Sequence, residues 1–206
     1  MSYQTEPKIR FSGEELFDLA IAWVTLSVAF ALLLNPPVAG VFSIEAFLTM
    51  AALSFVTVGV AFLLHELAHK IVAIRFGQVA EFRADYQMLF LAIMSALVGF
   101  LFAAPGAVYH RGYITDRENG IIALAGPLTN HALALVFLPL MFFPGIVGQV
   151  GQMGVWINLF LAAFNMIPYG PLDGKSVIEW NRLVFVVIFV PSLLAAIYVV
   201  LFVGIR

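Results

Sequence analysis

Apolar residues run through this chain in long stretches rather than alternating with polar ones. Ser12, followed three residues later by Glu15, predicts a capping box opening a helix that runs from Leu16 to Leu34 and stops at Asn35-Pro36-Pro37. Further apolar runs cover Ile44 to Ile74, Ile121 to Phe143, Val155 to Ile167 (extended back to Gln152) and Leu183 to Val203. About 20 residues of helix cross a bilayer core, so five spans are predicted. Another run, Met88 to Ala104, approaches that length, and hydropathy alone counts six. The largest polar islands are 75–87 and 109–120, and no Ser/Gly linker or internal repeat divides the chain. It reads as one domain, 1–206.

Composition agrees with this pattern. Of 206 residues 63% are hydrophobic and 11% charged, with twenty Phe, which is too little polar surface to cover a water-exposed exterior. The predicted class is an all-α, polytopic membrane protein with the lipid bilayer as its main surroundings. A net charge of −2 provides no basic stripe, so no nucleic-acid partner is expected. The absence of cysteine removes thiolate nucleophiles and Cys-ligated metals. Acidic Glu14, Glu15 and Asp18 precede the first apolar run where a cleavable leader would be basic, so the N-terminus is expected to be retained.

Ionisable residues inside an apolar helix are costly and point to function. His65-Glu66-Leu67-Ala68-His69-Lys70 follows the apolar stretch Phe62-Leu63-Leu64 and forms an HExxH motif. His65 and His69, four apart, leave the same helix face and can share one metal ion. Glu66 points about 100° round the helix, beside the metal, where a base for water belongs. A bland alternative places these residues at the interface, with Lys70 reaching for the headgroups. A catalytic zinc normally takes a third protein ligand. The candidates are His110 in a polar island, His131 inside a span, and Asp173. Asp173 is favoured because the prolines and glycines of Asn165-Met166-Ile167-Pro168-Tyr169-Gly170-Pro171-Leu172-Asp173-Gly174 unwind the chain.

HELAH together with NMIPYGPLDG resembles the site-2 protease family of intramembrane zinc metalloproteases. Its HExxH pattern is met at His65–His69, and its NxxPxxxLDG pattern at Asn165, Pro168, Leu172, Asp173 and Gly174. Ala125-Gly126-Pro127-Leu128-Thr129-Asn130 is a third family-like feature. The resemblance covers roughly residues 46–180, the expected catalytic core, with no PDZ insert or other appended domain. It implies one Zn2+ per chain held by His65, His69 and Asp173, with Glu66 as catalytic base and Asn165 as a substrate or oxyanion contact. Asn130 is expected to support the ligands from behind or to join two helices, and His131 to make an interhelical hydrogen bond. His110 reads as a solvated loop residue. Trp23, Trp156 and Trp180 need no role beyond packing or anchoring. The implied activity is hydrolysis of a peptide bond within or near the transmembrane segment of a membrane-anchored protein substrate. The rival readings are a metal-ion transporter and an inactive protease-like scaffold.

These motifs constrain topology. His65, His69 and Asp173 must lie on one side, and the pair of spans at 121–143 and 152–168 returns the chain to the side it left. Met88 to Ala104 is therefore expected to be re-entrant or interfacial, turning at Gly99 or at Ala103-Ala104-Pro105-Gly106. Five spans also place Lys8, Arg10, Lys70, Arg75, Arg83, Arg111, Arg117, Lys175 and Arg182 on the cytoplasmic side, leaving only Arg206 outside. Six spans would move Arg111, Arg117, Lys175 and Arg182 across. The expected setting is a prokaryotic cell membrane, with the active site towards the cytoplasm.

Overall fold

The structure, a computed structural model, describes residues 9–37, 42–102 and 104–203. The expectations for the N-terminal leader, Lys8, Ala103 and Arg206 fall outside these residues. The fold is all-α and polytopic, with one two-stranded sheet among the described residues. Helix α1 spans Gly13–Leu34. Ser12 Oγ accepts from Glu15 N at 3.0 Å. Only this half of the expected capping box forms, because the Glu15 carboxylate turns inward to other partners.

Helices α2 (Ile44–Ser54) and α3 (Val60–Arg75) form one 32-residue apolar rod, joined by a π-helical turn at Phe55–Gly59. A π turn interrupts the regular hydrogen-bond ladder, and in lipid the freed backbone groups need protein partners. Trp23 supplies one. Its indole Nε1 donates to Phe55 O at 2.9 Å, and its ring stacks on Phe55 with centroids 4.7 Å apart. Trp23 thus does more than pack, because it ties α1 to the turn that leads into the HExxH helix.

Four rods are long and apolar enough to cross a membrane. They are α1, α2–α3, α5 (Asp116–Phe137) with its 3-10 extension to Phe142, and α6 (Gly145–Asn165). Helix α8 (Arg182–Tyr198) has 17 residues and runs on into a five-residue π-helical turn, Val199–Val203, which brings it to comparable length. The short α7 (Asp173–Trp180) lies between α6 and α8.

Within the doubtful apolar run, α4 (Tyr86–Leu97) has 12 residues. That is about 18 Å of helix against a core of about 30 Å. The chain then turns at Gly99, whose φ of 80° favours glycine, and comes back. Strand β1 (Val79–Ala84) pairs antiparallel with β2 (Gly106–Arg111), and Ala84 faces Gly106. Asp85 N donates to Pro105 O at 3.0 Å, so the ends of segment 85–105 meet. The segment leaves and rejoins the fold at one point, as a re-entrant element does. The hairpin itself was not foreseen, because its strands lie partly in the polar islands and show little alternation.

Contacts place several chain ends at one end of the bundle. The start of α1 reaches β1 and the end of α3 through Ser12–Glu81 and Glu15–Lys70. The starts of α5 and α7 meet through Asn119 Nδ2 donating to Ser176 Oγ at 3.2 Å. A shared core fixes the hairpin against the helices. Phe30 of α1, Phe62 of α3, Met153 and Ile157 of α6 and Phe82 of β1 are all buried in it, with Phe62 and Phe82 edge to face at 5.6 Å.

Candidate metal centre

The middle turns of α3 bring two histidine rings to one face. His65 Nε2 and His69 Nε2 are 3.0 Å apart, and Asp173 Oδ2 lies 3.3 Å from the first and 3.4 Å from the second. Asp173 is the first residue of α7, where free backbone N–H groups favour a carboxylate. A Cβ on Gly174 would come within 2.1 Å of Met166 O, so the glycine lets α7 begin against the end of α6. That close approach swings Asp173 back to α3.

The other ring nitrogens determine which atoms face the centre. His69 Nδ1 is 2.7 Å from Ile122 O, which can only accept, so Nδ1 carries the hydrogen. His65 Nδ1 is 2.6 Å from Asn130 Oδ1. Asn130 Nδ2 donates to Ala61 O at 3.3 Å and to Asn158 Oδ1 at 2.9 Å, which fixes Oδ1 as the acceptor for His65. Asn158 Nδ2 in turn donates to Gly154 O at 2.8 Å. Both Nε2 atoms therefore present lone pairs, as metal-ligating histidines with oriented Nδ1–H groups do.

Asp173 Oδ2 is buried without a hydrogen-bond partner. Three acceptors thus converge with no donor among them, an arrangement that a cation satisfies. Zn–N and Zn–O distances of about 2.0–2.2 Å put tetrahedral ligand atoms about 3.3–3.6 Å apart. Both separations to Asp173 fall in that range and the two Nε2 atoms, at 3.0 Å, are slightly closer, so a small parting of the rings fits the three residues to zinc. Helix α5 leaves room for the centre at Gly126, where a Cβ would lie 2.4 Å from His69 Nε2 and 2.5 Å from His65 Nε2.

Glu66 leaves α3 on a neighbouring face, is buried, and lies against the backbone amide of Val108 on β2. The strand register explains why. Phe82 N donates to Glu15 Oε1 at 3.0 Å and Ala84 N to Asp18 Oδ2 at 3.2 Å, so these β1 amides point away from β2. Phe82 pairs with Val108, so the Val108 amide points away from β1 in turn, towards Glu66. The acids of α1 cover the outer edge of β1, and β2 has no second strand beside it among the described residues.

The other candidates are placed as follows. His110 is on β2 and half-buried, not in a solvated loop. Burial holds its pKa below the ordinary histidine value, which keeps it neutral. His131 Nε2 is 2.9 Å from Ser192 Oγ, a hydrogen bond between α5 and α8. Asn165, the last residue of α6, donates through Nδ2 to Leu161 O at 3.1 Å. Asn158 was not singled out from sequence, although a buried asparagine within a span is itself a signal, and Gly126 stood there only as part of the Ala125–Asn130 feature, with no role of its own.

The chain is 45% identical over 187 residues to a candidate zinc metalloprotease of Methanocaldococcus jannaschii, MJ0611, covering 88% of this chain and 92% of that one. It is 33% identical over 145 residues to YwhC of Bacillus subtilis, 60% of this chain and 66% of that one, which carries the same kind of name. It is 30% identical over 174 residues to Rip3 of Mycobacterium tuberculosis, also so named, covering 80% of this chain and 40% of that longer protein. No family model and no solved structure matches it. The match to MJ0611 runs nearly end to end and takes in both motifs, so the chain belongs to the site-2 protease-like family of zinc metalloproteases.

Proposed function

We propose that this protein is an intramembrane zinc endopeptidase that hydrolyses a peptide bond within or near the transmembrane segment of a membrane-anchored protein. The observation that carries this reading is the convergence of His65 Nε2, His69 Nε2 and Asp173 Oδ2, three acceptors without a donor, beside buried Glu66. One zinc per chain would be held by those three residues, and when bound it supplies Lewis acidity that polarises a peptide carbonyl and activates water. Glu66 takes a proton from the attacking water. It returns that proton to the amine as the C–N bond breaks, leaving a carboxylate and an amine as products.

A helical substrate hides its carbonyls in its own hydrogen bonds, so the segment to be cut must unwind. Once extended, it can pair with the outward backbone groups of β2, which lie next to Glu66. The need to unwind favours substrates with Gly, Pro or Asn near the cut. Asn165 is a donor to the developing oxyanion once its Nδ2 leaves Leu161 O, and Asn130 holds His65 in the ligating tautomer. The chain acts as one domain, 1–206, with its catalytic core at 46–180. It works in a prokaryotic cell membrane, with the centre towards the cytoplasm, where the positive residues gather. A transporter would need ligands spaced along a path, whereas the described residues gather one three-residue group.

The test is reconstitution in liposomes with a single-span substrate carrying a Gly-Pro pair in its apolar segment, followed by mass spectrometry of the products. A zinc-dependent cut within or next to that segment is expected. Cleavage confined to soluble, unanchored peptides would overturn the intramembrane reading.

A further inference from the structure

One face of α3 carries Glu66 and, one turn later, Lys70, and the two approach opposite strands of the hairpin at one cross-strand pair, Glu66 at Val108 and Lys70, by way of Glu15, at Phe82. Glu66 lies against the amide of Val108 on β2. Lys70 lies 2% exposed and forms an ion pair with Glu15, itself 1% exposed, while also donating to Arg10 O at 2.7 Å. The Lys70 ammonium sits 4.1 Å from the centroid of the Phe11 ring. Glu15 uses its other oxygen to accept from Phe82 N, and Phe82 is the partner of Val108. One carboxylate on α1 therefore ties the helix that bears His65 and His69 to the strand pair facing Glu66. Lys70 does not reach the headgroups, and Glu15 does not serve as the second half of a cap.

We infer that Glu15 is a positioning residue that, as the acceptor for Phe82 N, sets the register and depth of the hairpin over the metal centre, keeping the outer edge of β2 aligned with Glu66. The inference rests on the reading of Glu66 as the base. Stability alone does not require this arrangement, because a buried ion pair is often no more stabilising than apolar residues of the same volume. Its geometry provides something else: the carboxylate also replaces a missing neighbour strand at Phe82. Asp18 does the same at Ala84 and accepts from Tyr86 Oη at 2.5 Å. With the outward amides of Phe82 and Ala84 taken up in this way, β2 is the edge left open to an extended segment among the described residues.

The test compares two paired variants of the full-length, zinc-loaded protein. Glu15→Gln with Lys70→Met removes both charges but keeps an acceptor for Phe82 N. Glu15→Leu with Lys70→Met removes both charges and the acceptor. Three readouts are taken: zinc content, hydrogen exchange of 79–84 and 106–111, and kcat and KM on the single-span substrate. Both variants are expected to bind zinc as wild type does. The Gln variant should keep hairpin exchange and kcat within about threefold of wild type, whereas the Leu variant should exchange faster and lose about tenfold or more in kcat, as displaced reacting groups do.

Wild-type exchange in the Leu variant, or faster exchange without loss of kcat, would overturn the inference. Glu15→Asp keeps a carboxylate for Lys70 but shortens its reach to Phe82. It should also loosen the hairpin, and an unchanged exchange rate would overturn the claim even if the Leu variant does not fold. If wild type cleaves nothing, the protease reading fails, while exchange alone still decides whether Glu15 holds the hairpin.

Discussion

His65 Nδ1 lies 2.6 Å from Asn130 Oδ1, and the Asn130 amide cannot be reversed, because its nitrogen already serves Ala61 O and Asn158 Oδ1. An uncharged side chain on α5 thereby decides which nitrogen of an α3 histidine faces the metal centre. Asn158 on α6 holds that side chain in place, so three spanning helices share one hydrogen-bond chain.

Asn130→Ala is therefore expected to weaken zinc binding about 10- to 100-fold, in the range typical for partners behind a ligand. Asn158→Ala should act in the same direction but less strongly, since Asn130 retains Ala61 O. Competition with a zinc chelator measures both. Wild-type affinity in Asn130→Ala would mean that His65 keeps its tautomer without this partner.

Gly126→Ala makes a sharper test of the packing around the centre. In a helix interior this change ordinarily favours folding by about 0.5–1 kcal/mol. Its Cβ, however, would fall 2.4 Å from His69 Nε2. The expected result is a protein that stays helical, with the two rings displaced and zinc occupancy much reduced. Full occupancy in Gly126→Ala would contradict the close approach of α5.

Topology is open to labelling because the chain has no cysteine of its own. Tyr113, 104% exposed between β2 and α5, and Phe142, 84% exposed between α5 and α6, lie at opposite ends of α5. With the centre on the cytoplasmic side, an impermeant maleimide should label Phe142→Cys in intact cells and Tyr113→Cys only after permeabilisation. Labelling of Tyr113→Cys in intact cells would reverse or refute the five-span arrangement.

Much of this was legible in the sequence because bilayer physics is strict. Long apolar runs give spans, and three ionisable residues inside one of them mark a site. The requirement that His65, His69 and Asp173 share a side was enough to class 88–104 as re-entrant or interfacial, and the contact between Asp85 and Pro105 brings the two ends of that segment together. What escaped was set by pairing across the chain rather than along it. Strands β1 and β2 depend on each other and on carboxylates from α1, more than sixty residues away. Lys70 and Glu15 read locally as an anchor and a cap, and only the fold brings them together. The partner of His69 Nδ1 is the carbonyl of Ile122, which no side-chain pattern can reveal.

In the proposed mechanism Glu66 moves the proton for zinc-dependent peptide hydrolysis, and Glu66→Gln probes that step alone. Cleavage of the single-span substrate and zinc content are measured together on wild type and variant. Zinc should stay near one per chain while cleavage falls about 10²- to 10⁴-fold, the usual contribution of a general base. Equal cleavage by the two proteins, with zinc bound in both, would contradict it.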